Sequence, residues 1–212
     1  MAARKRQPYP IRGRTKGRER RIITGLTHDP AGEGRLVALL RGANVGGSSV
    51  IKMSDLRAEL EALGLTEVVT YIQSGNVIFR SVERDRTRLS RAIEARLAAR
   101  LGYHGVAVFL LSGAELQEAA DHNPFEPERL DAEQYCQLMF LSAEPDARRQ
   151  HALLALQGAE YRFAIRDRVL YYAYQRAFAG RRRTIDFERV LGVIGTSRTW
   201  KVVDQLIRLA EG

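Results

Sequence analysis

Five consecutive apolar residues, Leu36-Val37-Ala38-Leu39-Leu40, run directly into Arg41 and the glycine-rich stretch Gly42-Ala43-Asn44-Val45-Gly46-Gly47. A run this short, closed by glycine and carrying no polar alternation, reads as a central strand buried on both faces. The chain must therefore supply neighbouring strands that pair with it on either side.

The following segments supply them. Met53, Leu56, Leu60 and Leu63 recur at spacings of three and four, Asp55 suits the positive end of a helix, and Gly64 is placed to end it. Glu67 to Ser74 and Val77 to Arg80 are β-rich, and the intervening Gly75-Asn76 predicts a tight two-residue hairpin. A second helix is expected over Asp85 to Leu101, with Leu89, Ile93, Leu97 and Leu101 on one face and Gly102 after the last turn. Gly105 to Leu111 reads as a fourth strand. The order strand, helix, strand, strand, helix, strand is the split βαβ or ferredoxin-like pattern. In one antiparallel sheet of that order, the first and second strands point the same way. The loop at Arg41, Gly42, Asn44, Gly46 and Gly47 should then emerge beside Tyr71, Ser74, Gly75 and Asn76.

The remainder reads as a second α/β half. Ser112-Gly113-Ala114-Glu115 has the form of a capping box, and that helix should stop before Asn123-Pro124. Strands are expected at Tyr135 to Leu141, around Tyr161, Phe163 and Ile165, and at Val169 to Tyr174, with a helix over Glu144 to Gln157. Tyr171, Tyr172 and Tyr174 read as strand residues facing both sides of a sheet. After the basic loop Gly180-Arg181-Arg182-Arg183 a short helix should begin near Thr184. An amphipathic helix carrying Trp200, Val203, Ile207 and Ala210 should end the chain. The expected divisions are a basic tail over residues 1–34, an N-terminal half over 35–111 and a C-terminal half over 112–212.

The formal net charge of +9 suggests a polyanion partner until the charges are located. Residues 1–21 hold nine of the 34 Lys and Arg and one of the 25 Asp and Glu, so the rest of the chain is nearly neutral. This Arg-, Gly- and Pro-containing tail has too few apolar residues to offset its ordering entropy and is expected to be disordered. It reads either as a weak electrostatic attachment to nucleic acid, the only such route the sequence offers apart from Arg181 to Arg183, or as a dispensable extension. No apolar run is long enough for a membrane span, no signal peptide is evident, and Cys136 is the only cysteine. A cytoplasmic protein is the natural reading, with Cys136 a buried strand thiol.

Gly42 and Gly47 have the spacing of the two P-loop glycines, but Ser48 stands where lysine would be needed, and the Rossmann spacing also fails. What remains is an anion nest with Arg41 at its rim, Asn44 offering an amide, and the hairpin residues Tyr71, Ser74 and Asn76 converging on it. The competing reading is purely structural, with the glycines turning the chain and Arg41 pairing with a carboxylate. His28, His104, His122 and His151 are scattered, so no metal site is expected, and no cofactor is indicated. His122 beside Asn123-Pro124 is a helix-terminal capping group or a general base. Arg198 and Trp200 at the expected start of the last helix could clamp an anion and stack on a planar ligand, or could dock that helix. No reaction or oligomeric state can be read from these residues.

Three motifs make the chain recognisable: Leu39-Leu40-Arg41-Gly42-Ala43-Asn44-Val45-Gly46-Gly47 with Met53 and Leu56 after it, Thr70-Tyr71-Ile72-Gln73-Ser74-Gly75-Asn76-Val77-Ile78-Phe79, and Thr196-x-Arg198-Thr199-Trp200. Together they closely resemble the bacterial family called domain of unknown function 1697, over Arg35 to Glu211. The resemblance implies an α+β fold of two ferredoxin-like halves, with antiparallel sheets and helices packed on one face, and no established activity. The chain departs from the family pattern at Ser48-Ser49, where lysine and asparagine are usual, and at Thr199, where asparagine is usual. Deleting residues 1–34 separates the two readings of the tail. A weaker, less salt-dependent affinity for nucleic acid marks an attachment; unchanged affinity and salt slope mark a dispensable extension.

Overall fold

The computed structural model describes residues 34–42, 51–127, 134–158, 160–175 and 185–212. Among these, 34–120 with 201–212 form one compact unit and 121–200 form another. The first sheet is built from β1 (Leu36–Arg41), β2 (Thr66–Tyr71), β3 (Asn76–Arg80) and β4 (Ala107–Ser112), with α1 (Met53–Glu61), α2 (Arg86–Leu101) and α3 (Gly113–Asp121) between and after them. The second is built from β5 (Gln134–Leu141), β6 (Tyr161–Arg166), β7 (Val169–Gln175) and β8 (Gly195–Thr199), with α4 (Ala147–Leu154) and α5 (Phe187–Leu191); α6 (Trp200–Glu211) follows β8 and from Lys201 on belongs to the first unit. The spatial orders β2-β3-β1-β4 and β6-β7-β5-β8 are the same arrangement twice, and every pairing is antiparallel. Two ferredoxin-like halves are present.

In the first half Ala38, Leu40, Val77, Phe79 and Val108 meet Leu56 and Leu60 of α1 and Leu89, Ile93 and Leu97 of α2. The opposite face of β1 and β3 is equally dry, with Val37 and Leu39 fully buried and Ile78 1% exposed. The helix signals act as their chemistry requires. Asp85 accepts hydrogen bonds from the N–H groups of Thr87 and Arg88, and Gly102 closes α2 in the left-handed region. The capping box is also made: Glu115 N–H donates to Ser112 Oγ at 3.2 Å, and Ser112 N–H donates to Glu115 Oε2 at 2.7 Å.

The two ends of the first unit are tied together. Arg35 Nη1 donates to the carbonyl of Leu209 at 3.1 Å, placing a cation at the negative end of α6. At Gly113 a Cβ would lie 3.1 Å from Ala210 Cβ, so a larger residue would push α3 and α6 apart. Glu67 sits at an irregularity in β2 with φ 51°, held by Arg35 and Arg80 at 2.8 Å each. The hydrogen bond from Arg35, aided by the charge of Arg80, holds its carboxyl below the usual carboxylate range.

Two expectations are corrected. The β2–β3 turn comprises the four residues Ile72-Gln73-Ser74-Gly75, and Asn76 is the first residue of β3, opposite Tyr71. Register with β1 decides this, since Leu39 must face Asn76 for the apolar rows to align. Gly195 to Thr199 forms β8 against β5, so Arg198, expected at the start of the last helix, lies on a strand. The glycine, serine and threonines of β8 look like a loop until the edge of β5 offers them backbone partners.

In urea titrations Ile93→Ala should destabilise the protein by roughly 2–5 kcal/mol through lost burial and a cavity. Asp85→Ala should cost about 1 kcal/mol through the lost cap. Because Glu67 has a lowered carboxyl pKa, its contribution is present at neutral pH and lost as pH falls through the folded-state value. Glu67→Gln should flatten the acid side of the stability profile.

Candidate functional site

The strand order brings the two glycine motifs to one end of the first sheet. Leu40 N–H donates to the Gly75 carbonyl at 2.8 Å, so the end of β1 is hydrogen-bonded to the hairpin turn itself. Tyr71 faces Asn76 and Asn76 faces Leu39, and Arg41 lies two residues beyond Leu39 on the same face of the sheet. Arg41 and Tyr71 are half-buried and Gln73 is exposed. Gly42 follows with φ 81°, a conformation that lets the chain turn sharply out of the strand. Asn44, Gly46 and Gly47 fall outside the described residues.

Asn76 is fully buried, and its Nδ2 donates to the Tyr71 carbonyl at 3.1 Å and to Ser74 Oγ at 2.8 Å. Both amide protons are thus used to close the turn. Asn76 and Ser74 shape the hairpin, while Gly75 at φ 72° provides the reversal. Ile72 is the residue that sequence reasoning missed. It has φ 48°, costly for a β-branched side chain, yet 48% of its surface is exposed. No local signal reveals this, because isoleucine in a β-rich run reads simply as strand.

Arg198 and Trp200 occupy the other unit. Arg198, on β8, pairs in register with Leu138 of β5, so it is a strand residue two positions before the start of α6. It is only 7% exposed, and Nη1 donates to Thr196 Oγ1 and to the Ser197 carbonyl, each at 2.8 Å. Burial pulls its pKa down to about 10, which leaves it charged at neutral pH. Trp200 is the first residue of α6 and is half-buried. Cys136 is buried on β5, with Asn123 Nδ2 3.4 Å from its sulfur, and His122 follows directly after α3. Among the described residues no cluster of His, Cys, Asp and Glu is placed to hold a metal ion, and no helix is long and apolar enough to cross a membrane.

Replacing Asn76 by alanine removes two hydrogen bonds and leaves the part-buried Tyr71 carbonyl with one partner fewer. A loss of about 1–3 kcal/mol is expected in urea unfolding, with Ser74→Ala milder because the Tyr71 bond survives.

No curated protein matches the sequence. A solved structure, that of the conserved bacterial protein SP0830 from Streptococcus pneumoniae, shares the fold: the TM-score is 0.65 at 23% identity, over 84% of this chain and 98% of that one. The family model described as "Protein of unknown function (DUF1697)" matches residues 34–171, from the start of the first sheet into β7. That span holds both glycine motifs, whereas Thr196 to Trp200 lies beyond it. The chain therefore belongs to the DUF1697 family of proteins of unknown function.

Proposed function

We propose that this protein binds a small polar anion at the end of the first sheet, between Arg41 and the Ile72–Gly75 turn. The observation that carries the reading is the 2.8 Å bond from Leu40 N–H to the Gly75 carbonyl, which holds the strand end bearing Arg41 against the turn. A guanidinium on a rigid strand is preorganised for a planar or tetrahedral anion, and so loses little entropy on binding. Two features of the turn support the same location. Asn76 fixes its shape through its side-chain amide, and Ile72 holds a left-handed backbone conformation with about half of its surface exposed. Tyr71, at the end of β2, offers a ring, and Gln73, on the turn, an amide.

The site is tested by thermal-shift measurements of wild type and Arg41→Ala against inorganic phosphate, nucleotides and dicarboxylates. A true ligand at 100 times its Kd should stabilise wild type by about 2.7 kcal/mol, a shift of several degrees, and should leave Arg41→Ala unmoved. A ligand that stabilises both proteins equally removes Arg41 from the site.

A further inference from the structure

Each sheet ends in two edge strands, β2 and β4 in the first and β6 and β8 in the second. An edge strand turns the N–H and C=O of every second residue away from its sheet, where another chain can pair with them. Three of these edges are filled from within the chain. On β4 the outward N–H of Val108 donates to Glu94 Oε1 at 2.8 Å and that of Ser112 to Glu115 Oε2 at 2.7 Å. On β6 the N–H of Phe163 donates to Gln157 Oε1 at 3.1 Å, and the Tyr161 carbonyl accepts from the Gly158 N–H at 3.0 Å. On β8 the N–H of Gly195 donates to Glu188 Oε1 at 3.1 Å, and the Ser197 carbonyl accepts from Arg198 Nη1 at 2.8 Å.

The β2 edge is left open. The bond from Leu40 N–H to the Gly75 carbonyl sets the alternation along β3, so that Val77 and Phe79 bond to β1 while Asn76 and Ile78 bond to β2. Their partners on β2 are Tyr71 and Val69, and the main-chain groups of Val68 and Thr70 therefore point outward. Among the described residues nothing donates to those groups or accepts from them. The side chains do not guard the edge either. Val69 is 39% exposed, and β2 carries no lysine, arginine or proline. Glu67 is the one charge on the strand, and Arg35 and Arg80 pair with it from the inner side of the sheet.

Such a strand is a template for pairing, and its own sequence suits it as its partner. In an antiparallel pair about a two-fold axis through Val69, Val68 of each copy exchanges both hydrogen bonds with the partner's Thr70. Val69 then faces the partner's Val69 in a non-hydrogen-bonded pair, where side chains approach most closely and the exposed apolar surface is covered. Glu67 falls opposite the partner's Tyr71, so no like charges meet, whereas a register centred on Glu67 would set carboxylate against carboxylate. We propose that this protein pairs with a second copy of itself along the β2 edge, joining the two first sheets into one continuous sheet. A strand pair of this length is small beside the roughly 1,000 Å² expected of a stable interface, so association depends on concentration. The inference rests on β2 and is independent of the Arg41 reading.

Sedimentation velocity of the full chain from roughly 1 µM to 1 mM should show a monomer–dimer equilibrium. Thr70→Pro removes an outward N–H that the β2–β3 ladder does not use, and Val69→Lys sets cation against cation. Each should weaken dimerisation by about tenfold or more. Val69→Lys mixed with Val69→Glu should associate again, which a merely misfolded variant cannot do. Crosslinking gives a second readout. Facing Cβ atoms in such a pair lie about 4.5–5.5 Å apart, so diamide should oxidise Val69→Cys to a disulfide-linked dimer, with the buried Cys136 taking no part. Val82→Cys, at a position 96% exposed, should crosslink far less. A wild type that stays monomeric throughout overturns the proposal, whether the edge is then left to the N-terminal segment or to a foreign peptide. So do Thr70→Pro and Val69→Lys proteins that dimerise as wild type does, or Val69→Cys crosslinking no better than Val82→Cys.

Discussion

A strand excluded from water on both faces leaves its neighbours little choice. With Val37, Ala38 and Leu39 fully buried, every polar backbone group of β1 must find a partner within the protein. β3 on one side and β4 on the other supply them, and the burial of one side-chain set under α1 and α2 fixes the register of both pairings. A slip of one residue would exchange Ala38 and Leu40 with Val37 and Leu39 and turn the row at Asn76 out of line. The rest of the first unit follows from this strand.

The same register builds the candidate site. With β1 and β2 running in one direction, their ends meet, and the Leu40 to Gly75 bond is the last link of the ladder. Asn76, the first residue of β3, ties the turn together through its buried amide, which donates to the Tyr71 carbonyl and to Ser74 Oγ. Arg41 projects from a strand that cannot shift without disturbing the core. A cation so placed is held by the fold itself and needs no flexible loop to position it.

The second half repeats the strand order with different covering. Its helices are short, five residues in α5 where α2 has sixteen, and the sheet beyond them is finished with rings rather than aliphatic side chains. Tyrosine suits such a boundary, since the ring packs inward while the hydroxyl finds a partner, as Tyr172 and Tyr174 do on Gln137. Burial raises the pKa of both hydroxyls, so they stay neutral hydrogen-bonding groups at physiological pH.

What the sequence determined alone were the features governed by neighbours a few residues apart. The apolar run of β1, the helix faces at Leu89, Ile93 and Leu97, the Asp85 cap, and the Ser112 and Glu115 box each carry their own local physics, and the strand order placed Arg41 beside the hairpin. Tertiary structure decided whatever depends on partners far along the chain. Asn76 belongs to a strand because Leu39 faces it, and Gly195 to Thr199 is a strand because β5 has an open edge there. Arg198 is buried on that strand for the same reason. Tyr135, Tyr161 and Tyr174 form a row only because three strands align them. Periodicity reports which face of an element is apolar; it carries no information about which residue of another element will lie opposite, and side-chain roles are settled by that pairing.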